Sequence, residues 1–151
     1  MNVGLMYWNN VFIEVQKRDC TSGVRMGFLD PLMSELQTIA AGVTDEDRTA
    51  TLCFTPSIRL CNKYFDKLRQ ELIKCGAKET IFTRTKHALL SRWHSCTHED
   101  VQQQLRRTFV MGVGDCKALI ATTIASHGVD FKNLRRIIFF GFPSSIEEFA
   151  N

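Results

Sequence analysis

Short apolar runs alternate along this chain with longer stretches whose apolar residues recur at helical spacing. Residues 51–54 (TLCF), 118–121 (ALIA) and 137–140 (IIFF) are nearly free of polar alternation. Runs that short and that apolar predict strands buried on both faces. Residues 11–15 (VFIEV) predict a further strand, and a short one is expected somewhere between 79 and 94. From residue 28 to 41, Leu29, Leu32, Met33, Leu36, Ile39 and Ala40 mark one face of a helix that Gly42 ends. Pro56 and Ser57 open a second helix, with Leu60, Cys61, Tyr64, Phe65, Leu68 and Leu72 inward. Arg59, Lys63, Asp66, Lys67 and Arg69 form its polar face, and Gly76 closes it. Thr97 and Asp100 read as a capping box for a third helix, which turns Val101, Leu105, Phe109 and Val110 inward. Ser144 and Glu147 cap a last helix near the end of the sequence.

Strand and helix alternate throughout, which predicts an α/β fold: a parallel sheet with helices on both faces, in three layers. A length of 151 residues is expected to form a single domain, spanning 1–151, with a sizeable core. An apolar share of 44%, a charged share of 23% and a net charge of +3 argue against disorder and permit a nucleic-acid partner without requiring one. No apolar run approaches the ~18 residues of a membrane span, and no secretion signal is visible, so no membrane partner and an intracellular location are expected. Six cysteines without a C-x-x-C pair read as reduced thiols, with Cys53, Cys61 and Cys75 in or beside buried elements.

Candidate chemistry gathers where strands end. In open α/β sheets, ligands bind at the carboxyl ends of the strands. Thr55 and Ser57 follow the first apolar run, and hydroxyls and amides at a helix N-terminus suit a phosphate oxygen. His94 and Ser95 follow Trp93, while Thr122, Thr123, Gly128 and Asp130 follow the run at 118–121. Each has a plainer reading: Ser57 as a cap, His94 as a packed ring, the threonines as strand-end hydrogen bonders and Asp130 as a turn former. His94, Cys96 and His98 alternate as ligands on a strand would, but zinc needs a fourth ligand and none is evident, so no metal site is expected. Arg84, Lys86, His87, Arg92, Arg106 and Arg107 are a candidate basic patch, with a solvated face as the favoured reading.

The stretch ATTIASHGVDFKNLRRIIFFGFP resembles motif V of superfamily-2 helicases with the strand that follows it, and is most similar to the RecQ-like branch. Ala121, Thr122, Ala125, Gly128, Val129 and Asp130 carry the match, whereas Ser126 and His127 stand where that branch usually has Gly and Met. The sequence TLCFTPS resembles motif IV, Trp93-His94-Ser95 resembles the aromatic-His-[AS] signature between the two motifs, and residues 9–18 resemble the strand that opens the second motor domain. The resemblance implies a RecA-like fold and the second motor domain of an ATP-dependent 3′-5′ DNA helicase, nuclear in a eukaryote and cytoplasmic otherwise. It implies single-stranded DNA contacts at Thr55, Ser57, His94, Ser95, Thr122 and Thr123, and a nucleotide cleft beside Gly128 and Asp130, shared with a first RecA-like domain. The sequence holds no G-x-x-x-x-G-K-[ST] loop, D-E-x-H motif or arginine-finger motif. No catalytic residue is therefore expected in this chain, and ATP with Mg²⁺ belongs to a complete parent helicase. The alternative is a nucleic-acid or protein interaction module that keeps the fold without catalysis.

Overall fold

The computed structural model describes residues 30–40, 50–77, 88–123 and 129–140. The strand expected at 11–15, the basic residues at 84, 86 and 87, Gly128 and the helix expected from Ser144 lie outside these residues. The described elements run α1 (Asp30–Ala40), β1 (Ala50–Thr55), α2 (Ile58–Lys74), β2 (Leu90–Trp93), α3 (Glu99–Leu105), a π-helical turn (Arg106–Val110), β3 (Ala118–Thr122) and β4 (Leu134–Phe139). Among the described residues the sheet has four strands in the order β2-β3-β1-β4, and every pairing is parallel. The fold is therefore the parallel α/β arrangement that the alternation predicts, consistent with the RecA-like fold that the resemblance implies, with the strand between 79 and 94 carried by residues 90–93.

Alternating side chains of the two inner strands feed two cores. Cys53 and Ile120 face α1 and α2, where Leu32, Leu36, Cys61, Tyr64, Leu68 and Leu72 are buried. Leu52, Phe54, Leu119 and Ala121 face the opposite layer, where Leu105, Phe109 and Val110 pack. Both faces of β1 and β3 are thus dry, which is why their sequences show no polar alternation.

β4 departs from expectation. Ile137 is 51% exposed, and Ile138 and Phe139 are only partly buried, although the run IIFF reads like a strand buried on both faces. β4 has β1 on one side and no second neighbour among the described residues. Phe139 still stacks on Phe54, with ring centroids 5.2 Å apart. The outer flank carries Arg136, whose guanidinium meets Glu35 of α1 at 3.3 Å.

Candidate nucleic-acid interface

Parallel pairing brings the candidate residues to one edge. Thr55 lies in register with Thr122, and Trp93 lies in register with Ala121. His94 therefore leaves β2 beside the end of β3, and Ser57, at the start of α2, stands just beyond Thr55. Thr122 and Thr123 are half-buried at this edge and Ser95 is exposed. Asp130 is set back from it. The chain leaving β3 returns to the amino end of β4, where the Lys132 amide donates to the Val110 carbonyl at 2.7 Å and the Ala50 amide donates to the Asn133 carbonyl at 3.1 Å. On that return path the exposed Asp130 carboxylate pairs with the Lys132 ammonium, and Phe131 packs edge-on against Phe109.

Two residues that read as contacts have hydrogen-bonding work within the fold. Thr55 is 1% exposed, and its hydroxyl donates to the Ala121 carbonyl at 3.2 Å. Ser57 has extended backbone angles (φ −152°, ψ 154°), and its hydroxyl accepts from the Leu60 amide at 3.3 Å, capping α2. Thr55→Val keeps the shape and removes the donor. It is expected to cost roughly 0.5–1.5 kcal/mol in urea unfolding, because a buried hydrogen bond is lost, while leaving oligonucleotide affinity unchanged. Lost affinity at unchanged stability would mean instead that the hydroxyl touches the ligand.

His94 is 7% exposed, and both ring nitrogens have partners. Nδ1 accepts from the Cys96 amide at 3.2 Å, which leaves the proton on Nε2, and Nε2 donates to Asn62 Oδ1 at 3.2 Å. Burial, with Arg92 nearby, holds the imidazole pKa below its ordinary value of 6.5. The unfolded chain consequently binds a proton at His94 more readily than the folded chain does. The stability that His94 contributes is complete above about pH 6.5 and is lost progressively as the pH falls below it. Urea unfolding between pH 7 and 5.5 is expected to show stability falling with pH, and His94→Gln is expected to flatten that slope.

Asn62 escaped the sequence reading. Its one available signal was a neutral amide between the apolar and charged faces of a helix, a place where asparagine is not favoured intrinsically. Thr97 also serves differently than expected: its hydroxyl accepts from the His94 amide at 2.9 Å, and His98 caps α3 by accepting from the Asp100 amide at 3.4 Å. Among the described residues no group of three His, Cys, Asp or Glu side chains is placed to hold a metal.

The arginines near this edge lie against aromatic rings. Arg92 sits 4.9 Å over the Phe65 ring and 4.0 Å from Asp66, and Arg106 sits 5.5 Å over the Trp93 ring. Burial pushes the Cys53 thiol up to about 12, with Cys61 adding to it, and pushes Cys61 up to about 11 and Cys116 up to about 12. These three are inert packing residues at neutral pH. Cys75, expected beside a buried face, is exposed at the end of α2.

The helicase conserved C-terminal domain family matches residues 31–150. Among curated relatives, the probable ATP-dependent RNA helicase DDX4 of Pelophylax lessonae is 30% identical over 98 residues, covering 57% of this chain and 14% of that protein. The ATP-dependent RNA helicase DDX4 of Mus musculus and its probable counterpart in Homo sapiens are each 34% identical over 56 residues, covering 36% of this chain and 8% of those proteins. The chain thus spans about a seventh or less of the length of these relatives. A match that runs across most of the chain, onto a parallel sheet of this topology, places the protein in the helicase conserved C-terminal domain family.

Proposed function

We propose that this chain works as the second motor domain of an ATP-dependent helicase and holds the backbone of a single nucleic-acid strand along the carboxyl edge of its sheet. The observation that carries this reading is the register of Thr55 with Thr122 and of Trp93 with Ala121, which lines up three strand ends beneath one edge. Ser95, Thr122 and Thr123 supply hydroxyls there, with the capped start of α2 beside them. Such groups suit phosphate and sugar, which carry no base information. Asp130, with Gly128, contributes to a nucleotide cleft completed by a first RecA-like domain, which also supplies the groups for ATP and Mg²⁺. Relatives named as RNA helicases favour RNA as the strand, whereas the RecQ-like motif V resemblance favours DNA.

Fluorescence anisotropy with labelled single-stranded RNA and DNA tests the proposal. Weak binding to at least one of them is expected, with little sequence preference and affinity falling as salt rises. Thr122→Ala with Thr123→Ala should weaken binding more than Arg106→Ala with Arg107→Ala, because those arginines lie on the π-helical turn after α3, with Arg106 packed over the Trp93 ring, rather than at a strand end. The reverse order, or no binding to either strand, would overturn the proposal.

A further inference from the structure

The polar groups at the carboxyl edge divide into those that face outward and those that keep the edge in shape. Residues 94–97 form a tight turn closed from within. The His94 amide donates to Thr97 Oγ1 at 2.9 Å, and the Thr97 amide returns to the His94 carbonyl at 2.9 Å. Gln102 Nε2, from α3, donates to the Thr97 carbonyl at 2.7 Å. The His94 ring spans the turn and the neighbouring helix, taking the Cys96 amide on Nδ1 and giving its Nε2 proton to Asn62 of α2. Ser95 sits exposed in this closed turn, with only the Cys96 thiol beside its hydroxyl, at 3.9 Å, among the described residues.

An imidazole with both nitrogens engaged and little exposed surface has no donor left for a phosphate. A serine hydroxyl at an exposed position of a rigid turn has one. We propose that Asn62 and His94 are positioning residues, which together pin this turn to α2 so that Ser95 is presented to a phosphate of the bound strand. The inference rests on the functional reading above and adds a division of labour to it: Ser95 touches the ligand, and His94 and Asn62 act through Ser95. The pin also fixes the spacing between the turn and the start of α2. Two contact points held at a set spacing lose little freedom on binding, which is how preorganisation raises affinity.

A double-mutant cycle in the anisotropy assay tests this, using the unaltered chain, Ser95→Ala, Asn62→Ala and the combination, with single-stranded RNA and DNA as probes. Each single change is expected to weaken binding roughly 3–10-fold, the span of one hydrogen bond. The double variant should bind no more weakly than the weaker single variant, because Asn62 has nothing left to position once the hydroxyl is gone. His94→Gln, whose amide reaches toward the Nε2 position, should retain more affinity than His94→Ala. A merely structural Asn62 would instead lower the melting temperature and leave affinity intact. Should Asn62→Ala fail to fold, Asn62→Asp keeps the acceptor for Nε2 and is expected to bind nearly as the unaltered chain does. Full binding by Asn62→Ala, additive losses in the double variant, or a loss in Asn62→Asp equal to that of Ser95→Ala would overturn the positioning role alone. No binding by the unaltered chain would overturn the functional reading and this inference with it.

Discussion

Ile120→Ala is expected to lower the unfolding free energy by about 2–5 kcal/mol, and Ile137→Ala by no more than about 0.5 kcal/mol. Ile120 is 0% exposed, on a strand flanked by β1 and β2, and its carbonyl accepts from the Cys61 thiol at 3.3 Å. Truncation there leaves a cavity between the sheet and α2 that close-packed neighbours fill only in part. Ile137 is 51% exposed on β4, so its truncation removes little that packs. Urea unfolding of both variants checks this, with the slope m unchanged if only stability moves. Domains of this size are stable by about 5–15 kcal/mol, so the Ile120 loss would take a large fraction of the total. A cost at Ile137 as large as at Ile120 would show that its face is covered.

The two isoleucines explain why the fold was legible and its rim was not. Both sit in short apolar runs, and composition alone treats them alike. What separates them is strand order: β1 inserts between β3 and β4, so β3 is flanked on both sides and β4 on one among the described residues. Pairing order is a long-range property, and local periodicity carries no record of it. Within β1 and β3, periodicity sufficed, because each residue there faces one of two dry layers.

The candidate site divides along the same line. That Thr55, Trp93 and Thr122 end at one edge followed from recognising three strands as parallel, which the alternation of elements supplies. That the Thr55 hydroxyl and the His94 ring turn inward did not follow. Their partners, Ala121 and Asn62, lie 66 and 32 positions away in sequence. The α3 cap shows a local version of the problem. Thr97 and Asp100 fit a capping box, yet the His94 amide also needs an acceptor and takes the Thr97 hydroxyl, leaving His98 to cap. Sequence spacing names the groups able to cap, and competition among donors decides which of them does so.

Gly112→Ala is expected to destabilise the domain by about 2–4 kcal/mol, and Gly76→Ala by about 1–2 kcal/mol. Both glycines have positive φ, +68° and +88°, so any side chain there meets the left-handed penalty. They differ in surroundings. A Cβ on Gly76 would meet nothing within 4 Å, whereas one on Gly112 would lie 2.7 Å from Asn133 Nδ2. Rotation can move Nδ2 but not Asn133 Cβ, which would lie 3.1 Å away on a backbone held by a φ of +58° and by the Asn133 carbonyl accepting from the Ala50 amide. Pushing it aside would strain the neighbouring bond from the Lys132 amide to Val110 and loosen Phe131 from Phe109. The segment bearing Asp130 is seated by those contacts, so the damage extends toward the proposed nucleotide side. Asn133→Gly removes the obstructing side chain and tolerates the positive φ. In the Gly112→Ala background it is expected to recover the contact part of the loss and leave only the backbone part, matching Gly76→Ala. Chemical unfolding of the two single variants and the double variant measures that coupling directly. Additive losses, with no recovery in the double variant, would mean that the close approach of Gly112 and Asn133 does not hold the return segment in place.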